Sequence, residues 1–338
     1  MPLVPSRRAV LGRRATFLLP ALLASPALAS ELPRRVPPGT RLVAADQNQA
    51  LQTMMQASGE HGRLAAQVSY ANFLGGPAIL EAFRAGALDL GIVGNTPPIQ
   101  AHAAGERIPV IAARASTEPD YKFAVRPGLS VTTLKDFAGR RIAYAEGTGR
   151  QPFVLRALQL AGLTRRDVRL VPLRVSDFPD AVRGGQVDIA PLNEPHFSRY
   201  LAQWADRGAS ALPADQYADL PKRLSYLYAS GRALDDPAKA AALRDFVIRW
   251  IAASRWSKAR PEEWVQAYYV RLQNLRPEDG RAIEASEGEY RFPALSTLIA
   301  PHQATIDLIH AAGDIPRRLD AREEFDLRFD AVIAEYAA

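Results

Sequence analysis

Two short polar loops that contain proline are the parts of this sequence best suited to bind a ligand. GNTPP (residues 94–98) and NEP (residues 193–195) each follow a short apolar run, residues 88–93 and residues 187–192. Such runs are typical of parallel strands buried on both faces, and open α/β sheets bind ligands at the carboxyl ends of these strands. Proline favours the first turn of a following helix, and Thr96 is placed to cap it. We therefore predict that both loops face a ligand.

Each loop is preceded by a similar stretch of eleven residues. EAFRAGALDLG (residues 81–91) and DAVRGGQVDIA (residues 180–190) align without a gap and share Ala, Arg, Gly and Asp. Gly86 and Gly185 can adopt the left-handed conformation that ends a helix. The pattern indicates two similar helix–strand–loop units. A chance similarity, or a common unit without function, is the alternative.

Several classes of chemistry are excluded by composition. The chain has 338 residues and no cysteine, which removes disulfides, thiolate nucleophiles and lipidated cysteine anchors. The five histidines show no short spacing typical of metal ligands, and neither a G-x-S-x-G elbow nor a phosphate-binding loop of the Walker type occurs. We expect no cofactor, no metal and no catalytic residue. The histidines are His61, His102, His196, His302 and His310.

The first 29 residues have the layout of an export signal. They contain four arginines, no acidic residue, an apolar run and a small-residue site that ends at Ala29. The apolar run is too short to span a membrane, and two prolines interrupt it. We expect cleavage near Ala29, and the SRR triplet at residues 6–8 leaves open whether the twin-arginine or the general route is used.

The charge of the chain gives no sign of nucleic-acid binding. The formal net charge of +6 falls to +2 when the four arginines of the predicted signal are removed. Basic and aromatic residues are not interleaved in the way that nucleic-acid binding requires. We therefore expect a soluble chain that binds no nucleic acid.

Strands alternate with helices along the chain, which indicates an α/β fold with a mixed, mostly parallel sheet in each of two lobes. The sequence beyond residue 228 is helical in pattern. No flexible linker separates the halves, so we predict two lobes joined by extended crossings near residues 121–124 and 224–229. The predicted boundaries are residues 1–29 for the signal, residues 40–122 plus 229–338 for lobe 1, and residues 123–228 for lobe 2. Strands are expected at residues 41–45, 67–70, 88–93, 109–113, 122–125, 141–145, 168–171 and 187–192.

Four segments carry a family resemblance. FLGGPAILEAFRAGALDLGIVGNTPPIQAHAAG (residues 73–105), VTTLKDFAGRRIAYAEGTGRQPFVLRALQLAGL (residues 131–163), RGGQVDIAPLNEPHF (residues 183–197) and the helical tail resemble periplasmic substrate-binding proteins of the aliphatic sulfonate, taurine and nitrate type. The resemblance implies the two-lobed type II periplasmic binding fold. It also implies a periplasmic monomer that delivers a small anion to the permease and ATPase subunits of an ABC importer.

The resemblance implies an anion site between the lobes. A sulfonate has three acceptor oxygens, which N–H groups at helix starts in GNTPP and GTGRQP (residues 147–152) would satisfy. Arg150 could add a charge-assisted contact, or could be a surface arginine. Asn193 stands where many relatives carry tryptophan, and Glu194 would repel a bare anion, so we expect a sulfonate whose tail carries a polar or aromatic group. The predicted ligand-binding residues are Gln47, Phe73, Gly76, Gly94, Asn95, Thr96, Gly147, Thr148, Gly149, Arg150, Asn193 and Glu194.

Other functions on the same fold remain alternatives. Nitrate and other small organic anions are the nearest alternative ligands. Desulfinases and thiamine-pyrimidine synthases resemble the family in fold but depend on cysteine-containing sites, and this chain has no cysteine. The effector-sensing domain of a regulator has the same two lobes, but it would need a DNA-binding or signalling module where this chain has the predicted export signal.

Overall fold

Two mixed β-sheets organise the part of the chain from Leu32 to Ala338, which forms one unit. The structure is a computed structural model, and it describes Met1, residues 31–73 and residues 75–337. The predicted export signal lies, apart from Met1, outside the described residues. In the described part of the chain, no helix is both long and apolar enough to span a bilayer.

The strands form one sheet of six and one of five. The first sheet has the order β11-β4-β10-β3-β1-β2, and the second has the order β7-β6-β8-β5-β9. In chain order the strands are β1 (Arg41–Gln47), β2 (Gln67–Phe73), β3 (Leu90–Gly94), β4 (Val110–Ser116), β5 (Lys122–Val125), β6 (Arg141–Tyr144), β7 (Arg169–Pro172), β8 (Ile189–Leu192), β9 (Ser210–Ala211), β10 (Leu224–Ala229) and β11 (Tyr290–Arg291).

The helices cover the faces of the two sheets. The long helix α8 packs on β1 and β11, α4 packs on β6, and α5 packs on β6 and β8. In chain order the helices are α1 (Ala50–Ala57), α2 (Gly76–Arg84), α3 (Pro97–Ala103), α4 (Arg150–Leu160), α5 (Phe178–Arg183), α6 (His196–Trp204), α7 (Gly231–Asp235), α8 (Pro237–Ala259), α9 (Pro261–Trp264), α10 (Pro277–Ser286), α11 (Leu295–Ala311) and α12 (Asp330–Tyr336).

The repeated eleven-residue stretch builds the same structure in both lobes. Gly86 and Gly185 have φ of 73° and 72°, which is the predicted left-handed conformation. The aspartate of each copy then ties its strand to the parallel neighbour: the backbone N–H of Val43 donates to Asp89 at 2.9 Å, and that of Arg141 donates to Asp188 at 2.9 Å. The shared Asp is therefore a structural residue at the start of a strand.

The crossings between the lobes lie just before the predicted segments. The chain leaves the first sheet after β4 and returns before β10, whereas residues 122–124 and 224–229 belong to strands β5 and β10 themselves. The two crossings run side by side, since the backbone N–H of Arg223 donates to the carbonyl of Glu118 at 2.9 Å. β10 pairs antiparallel with both β3 and β4, so sequence reasoning took a central strand for a connection.

Helix α11, the last but one helix of the described chain, contacts both lobes. It packs against β4 of the first sheet and against α4 beside the second. Arg156 of α4 donates to Thr305 of α11 at 2.8 Å. The predicted lobe boundaries, which give residues 229–338 to lobe 1, stay a prediction.

Candidate ligand-binding site

The two loops proposed as anion cradles meet at a small cavity beside the crossings. Gly94 and Asn95 of GNTPP and Gly149 of GTGRQP line this cavity together with Tyr121 and Arg223. Its volume is about 40 Å³. One water needs a cavity of about 10–15 Å³, whereas ligand pockets measure about 300–1,000 Å³, so this cavity is far smaller than a typical ligand pocket.

The polar groups of these loops are mostly engaged within their own turns. The Thr148 hydroxyl donates to the Ala145 carbonyl at 2.8 Å, and the Gly147 N–H donates to the Gln151 side chain at 2.9 Å. Thr96 occupies the predicted N-cap position of α3, but its side chain makes no capping hydrogen bond. Its hydroxyl oxygen is fully buried and has no hydrogen-bond partner among the described residues. The prediction that the Thr96 side chain caps α3 was therefore wrong, although Thr96 does occupy the N-cap position.

Arg150 is buried and already has partners. Its Nε donates to the Pro191 carbonyl at 3.2 Å, and its Nη2 donates to Asn193 Oδ1 at 2.5 Å. The guanidinium also lies 4.7 Å from the centre of the Tyr121 ring. Arg150 is therefore not the surface arginine of one alternative, since it is buried and holds Asn193, and a contact of Arg150 with the ligand stays a prediction.

Three further predicted residues lie at the edge of the first lobe. The Gln47 amide donates to the Ile92 carbonyl at 3.3 Å, which joins β1 to β3. Phe73 packs against the core of the first sheet. Gly76 lies against Pro97, because a Cβ at this position would be 3.2 Å from the proline Cγ. Whether these residues reach a ligand stays a prediction.

A second cavity, of about 430 Å³, lies between the two lobes and is large enough for an organic ligand. Asn193 and Glu194 are the predicted residues that line it. The other lining residues come from the loop after β1 and helix α1, from β3 and β4, from the start of α6, from the end of α8, and from the segments around α9 and β11. They are Asn48, Ala50, Leu51, Met54, Ile92, Arg114, Pro195, His196, Arg199, Ser257, Trp264, Tyr268, Tyr269, Gln273, Glu287 and Tyr290.

Arg114 of β4 brings a positive charge to this cavity. Its guanidinium lies 4.2 Å from the centre of the Tyr290 ring and donates to the Ser254 hydroxyl at 3.3 Å. Its Nε is buried and has no hydrogen-bond partner among the described residues, and Arg114 makes no ion pair with any of them. Its charge acts on the carboxylates of Glu284 and Glu287 only from beyond ion-pair distance, so its donors stay available to an anion in this cavity.

The carboxylates of the cavity, by contrast, are neutralised. Glu194 accepts from Lys122 Nζ at 3.1 Å and from the backbone N–H of Ser198 at 3.1 Å. Burial alone would disfavour the charge on Glu287, but Arg223, with Nη1 2.9 Å away, and the Tyr290 hydroxyl hold the pKa of Glu287 at about 2. Glu194 is therefore paired and not the bare negative charge that the sequence suggested, and Arg114 and Arg199 are the cations of the lining that make no ion pair with the described residues.

The second lobe contributes polar groups at the start of α6. Desolvation, helped by the charges of Arg150 and Arg199, lowers the pKa of His196. The imidazole is therefore neutral at pH 7 and offers one donor and one acceptor. Arg199 is exposed at this rim and forms no ion pair with the described residues.

Aromatic side chains form one wall of the cavity. The helix that begins with α9 continues as a π-helix over Val265–Val270, where sequence patterning predicted one α-helix. Tyr268 stacks on Trp264, with ring centres 4.8 Å apart and planes 2° apart, and Tyr269 meets Tyr268 at 5.0 Å. Short π-helical turns occur often at functional sites.

The loop after β1 holds an unusual backbone next to this wall. Asn48 and Gln49 have φ of 55° and 58°, and Asn274 has φ of 52°. Gln273 donates through its side chain to the Asn48 carbonyl at 3.4 Å. Left-handed conformations at non-glycine residues cost free energy and cluster at functional sites.

Sequence reasoning missed Arg114, the aromatic wall and Asn48. An arginine directly after the apolar run at residues 109–113 was a usable signal, because it lies at the carboxyl end of a predicted strand. The cluster W-x-x-x-Y-Y (residues 264–269) was a weaker one, since aromatic residues at helical spacing are usually core. The folding of the C-terminal helices onto the cleft could not be inferred from either pattern.

Comparison with known proteins supports the sequence resemblance. Residues 75–220 match the model of the NMT1/THI5-like family. A curated aliphatic sulfonates-binding protein of Escherichia coli (strain K12) is 31% identical over 138 residues, which cover 41% of this chain and 43% of that protein. A second such protein, of Bacillus subtilis (strain 168), is 24% identical over 270 residues, which cover 78% of this chain and 77% of that protein.

The fold also matches a solved structure. The crystal structure of the periplasmic aliphatic sulphonate binding protein of Escherichia coli superimposes with a TM-score of 0.74 at 23% identity, covering 86% of this chain and 92% of that one. This likeness shows the two-lobed α/β fold of the periplasmic binding proteins. The resemblance to sulfonate-binding proteins of this fold, inferred from four segments of the sequence, is thereby confirmed.

Proposed function

We propose that this protein is the periplasmic solute-binding component of an ABC importer and binds a small organic sulfonate between its two lobes. The ligand occupies the cavity of about 430 Å³. Both curated relatives are named as aliphatic sulfonates-binding proteins, which supports binding rather than catalysis.

The observation that carries this proposal is the charge balance of the cavity. Arg114 has no ion-pair partner among the described residues, whereas Glu194 and Glu287 are each matched by a cation. An anion that enters the cavity therefore meets a guanidinium whose charge Glu284 and Glu287 offset only from beyond ion-pair distance. A sulfonate also presents three acceptor oxygens, which suit the donors of Arg114, Asn193 and Gln273 at the wall.

This arrangement moves the anion away from the loops that the sequence suggested. GNTPP and GTGRQP meet at the crossings, so they lie where the two lobes hinge. A Cβ at Gly149 would lie 2.6 Å from the Tyr121 hydroxyl, so glycine lets this loop approach the crossing closely, and Arg150 holds Asn193 in place. We propose that these loops support closure, while the charge of the ligand is recognised at Arg114.

The same comparisons support a proposal for the partners and the location. A periplasmic receptor of this fold delivers its ligand to a permease and an ATPase in the inner membrane. We propose this role, with cleavage of the export signal near Ala29 and a monomeric mature chain. Sequencing the mature N-terminus from a periplasmic extract should give a start near Ser30 or Glu31.

A thermal-shift screen tests the ligand class. Methanesulfonate and hexanesulfonate are compared with the corresponding neutral sulfonamides, and taurine and nitrate are tested beside them. A sulfonate at about 100 times its dissociation constant should stabilise the protein by about 2.7 kcal/mol. Sulfonamides that raise the melting temperature while sulfonates do not would show that the site does not select an anion. NMR spectra of a bound sulfonate should be unchanged after prolonged incubation, and a new product would instead indicate an enzyme.

A further inference from the structure

The aromatic wall defines the kind of ligand body that the cavity accepts. Tyr268 lines the cavity and is only partly buried, while Trp264 covers one face of its ring. Trp264 and Tyr269 are buried, so they hold Tyr268 in one position. A ring that is fixed in advance loses little conformational entropy when a ligand packs on it.

Tyr290, a fourth aromatic residue that lines the cavity, has a different role. The Tyr290 ring lies between two cations, with the Arg114 guanidinium 4.2 Å and the Lys258 ammonium 4.5 Å from its centre. Its hydroxyl donates to Glu287 at 2.5 Å. Tyr290 therefore positions the charge of Arg114 and leaves Tyr268 as the ring available to the ligand.

The hydroxyl of Tyr268 adds a polar contact at the same place. It has no hydrogen-bond partner among the described residues, although burial and the nearby Asp46 raise the pKa of Tyr268 above its usual value. A tyrosine hydroxyl in a partly desolvated position normally finds a partner. The neutral hydroxyl is thus free to bond with a substituent of the ligand.

The volume of the cavity is consistent with a ligand larger than a short alkyl sulfonate. About 430 Å³ falls in the range of pockets that enclose drug-sized molecules. Met54, Leu51 and Ile92 line the cavity as well, and they add apolar surface from the first lobe. Thioether groups such as that of Met54 also pack favourably against aromatic rings.

We propose that the ligand is an aryl sulfonate, whose sulfonate group lies at Arg114 and whose aromatic ring packs against Tyr268. This inference rests on the proposed function and narrows its ligand class. Contacts between aromatic rings are worth more than the area they bury. An aromatic ring should therefore be preferred to a saturated ring of the same size.

Calorimetric titration with benzenesulfonate and cyclohexanesulfonate tests this proposal. The two ligands carry the same charge and six-carbon rings, so their affinity ratio isolates the aromatic contact. We expect the full-length mature protein to bind benzenesulfonate about two- to tenfold more tightly. Tyr268→Leu should reduce the ratio to about one, and Tyr268→Phe should keep it. The ratio within one variant does not depend on the fraction of active protein.

The outcomes of these titrations separate the preference for an aryl ligand, the role of Tyr268 and the proposed function. Equal affinity of the two ligands for the wild type overturns the aryl preference while leaving sulfonate binding intact. A preference that survives in Tyr268→Leu overturns the assignment of the ring contact to Tyr268. If neither ring sulfonate binds while hexanesulfonate does, the aryl inference fails and the proposed function stands. If hexanesulfonate does not bind either, the proposed function fails together with the aryl inference. Tyr336→Leu, at an exposed aromatic residue of α12, is the control and should leave the ratio unchanged.

Discussion

Replacing Asp188 by asparagine should destabilise the fold far more than the same change at Asp180, eight residues earlier in the repeated stretch. Asp188 accepts four hydrogen bonds: from Arg126 Nε at 2.8 Å and from Arg141 N, Nε and Nη2 at 2.9, 3.1 and 2.9 Å. Its side chain is 9% exposed. The Asp180 side chain is 74% exposed and makes one surface ion pair with Arg183.

The size of the effect follows from these contacts. A hydrogen bond to a charged group contributes about 1.5–3 kcal/mol, but both guanidinium groups are about one third exposed, which weakens their share. An asparagine oxygen can still accept from the Arg141 N–H, while its amide group faces other donors. We therefore expect Asp188→Asn to cost about 2–4 kcal/mol, and Asp180→Asn less than about 0.5 kcal/mol.

Urea unfolding at neutral pH measures this difference. With an m-value of about 3 kcal/mol/M, the midpoint of Asp188→Asn should fall by about 1 M, whereas that of Asp180→Asn should move little. The paired carboxylate is the charged form that the fold stabilises, since Arg141 and Arg126 outweigh burial and lower the pKa of Asp188. Equal midpoints for the two variants would refute the view that the repeated aspartate joins neighbouring strands.

Four other predictions follow from the same structure. Thr96→Val should keep or raise the free energy of unfolding, because the buried hydroxyl has no hydrogen-bond partner among the described residues. Calorimetry should show unchanged ligand affinity. A large loss of affinity would restore Thr96 as a ligand donor. Glu287 contributes stability that is complete above its unfolded pKa near 4.5 and is lost as the pH falls towards about 2. Between these pH values the free energy of unfolding should therefore fall by up to about 3 kcal/mol less in Glu287→Gln than in the wild type. Parallel curves of unfolding free energy against pH would contradict the pairing with Arg223. Gly185→Ala should cost about 1 kcal/mol because φ is positive, and an unchanged melting temperature would argue against that conformation. Small-angle scattering should show a more compact particle with saturating ligand, whereas identical profiles would argue against hinge closure.

Much of the fold could be predicted because its signals are local. Apolar runs that follow a glycine predicted parallel strands, and the repeated stretch predicted two equivalent helix–strand–loop units. β10 was misplaced because an antiparallel strand inserted between β3 and β4 pairs with residues more than 100 positions away. No local pattern in residues 224–229 distinguishes such a strand from an extended crossing.

The site was predictable only in part, because only some of its residues are marked by a local sequence pattern. Asn193 and Glu194 follow β8 directly, so the rule that ligands bind at strand ends places them at the cavity. Whether a loop donor is free cannot be known without its neighbours: Thr148 bonds within its own turn, and Arg150 is held by Pro191 and Asn193. Tyr268 reaches the cavity through tertiary packing of the C-terminal helices, which sequence periodicity does not specify.

Titration of Arg114→Gln with the sulfonate that gives the largest thermal shift tests the central claim most directly. Losing a charge-assisted hydrogen bond of about 1.5–3 kcal/mol should weaken binding about 10- to 150-fold. Arg84→Gln, which removes an exposed arginine paired with Glu81 and Glu106, is the matched control and should bind as the wild type does. An Arg114→Gln variant that binds sulfonate with wild-type affinity would contradict the assignment of the anion to this cavity.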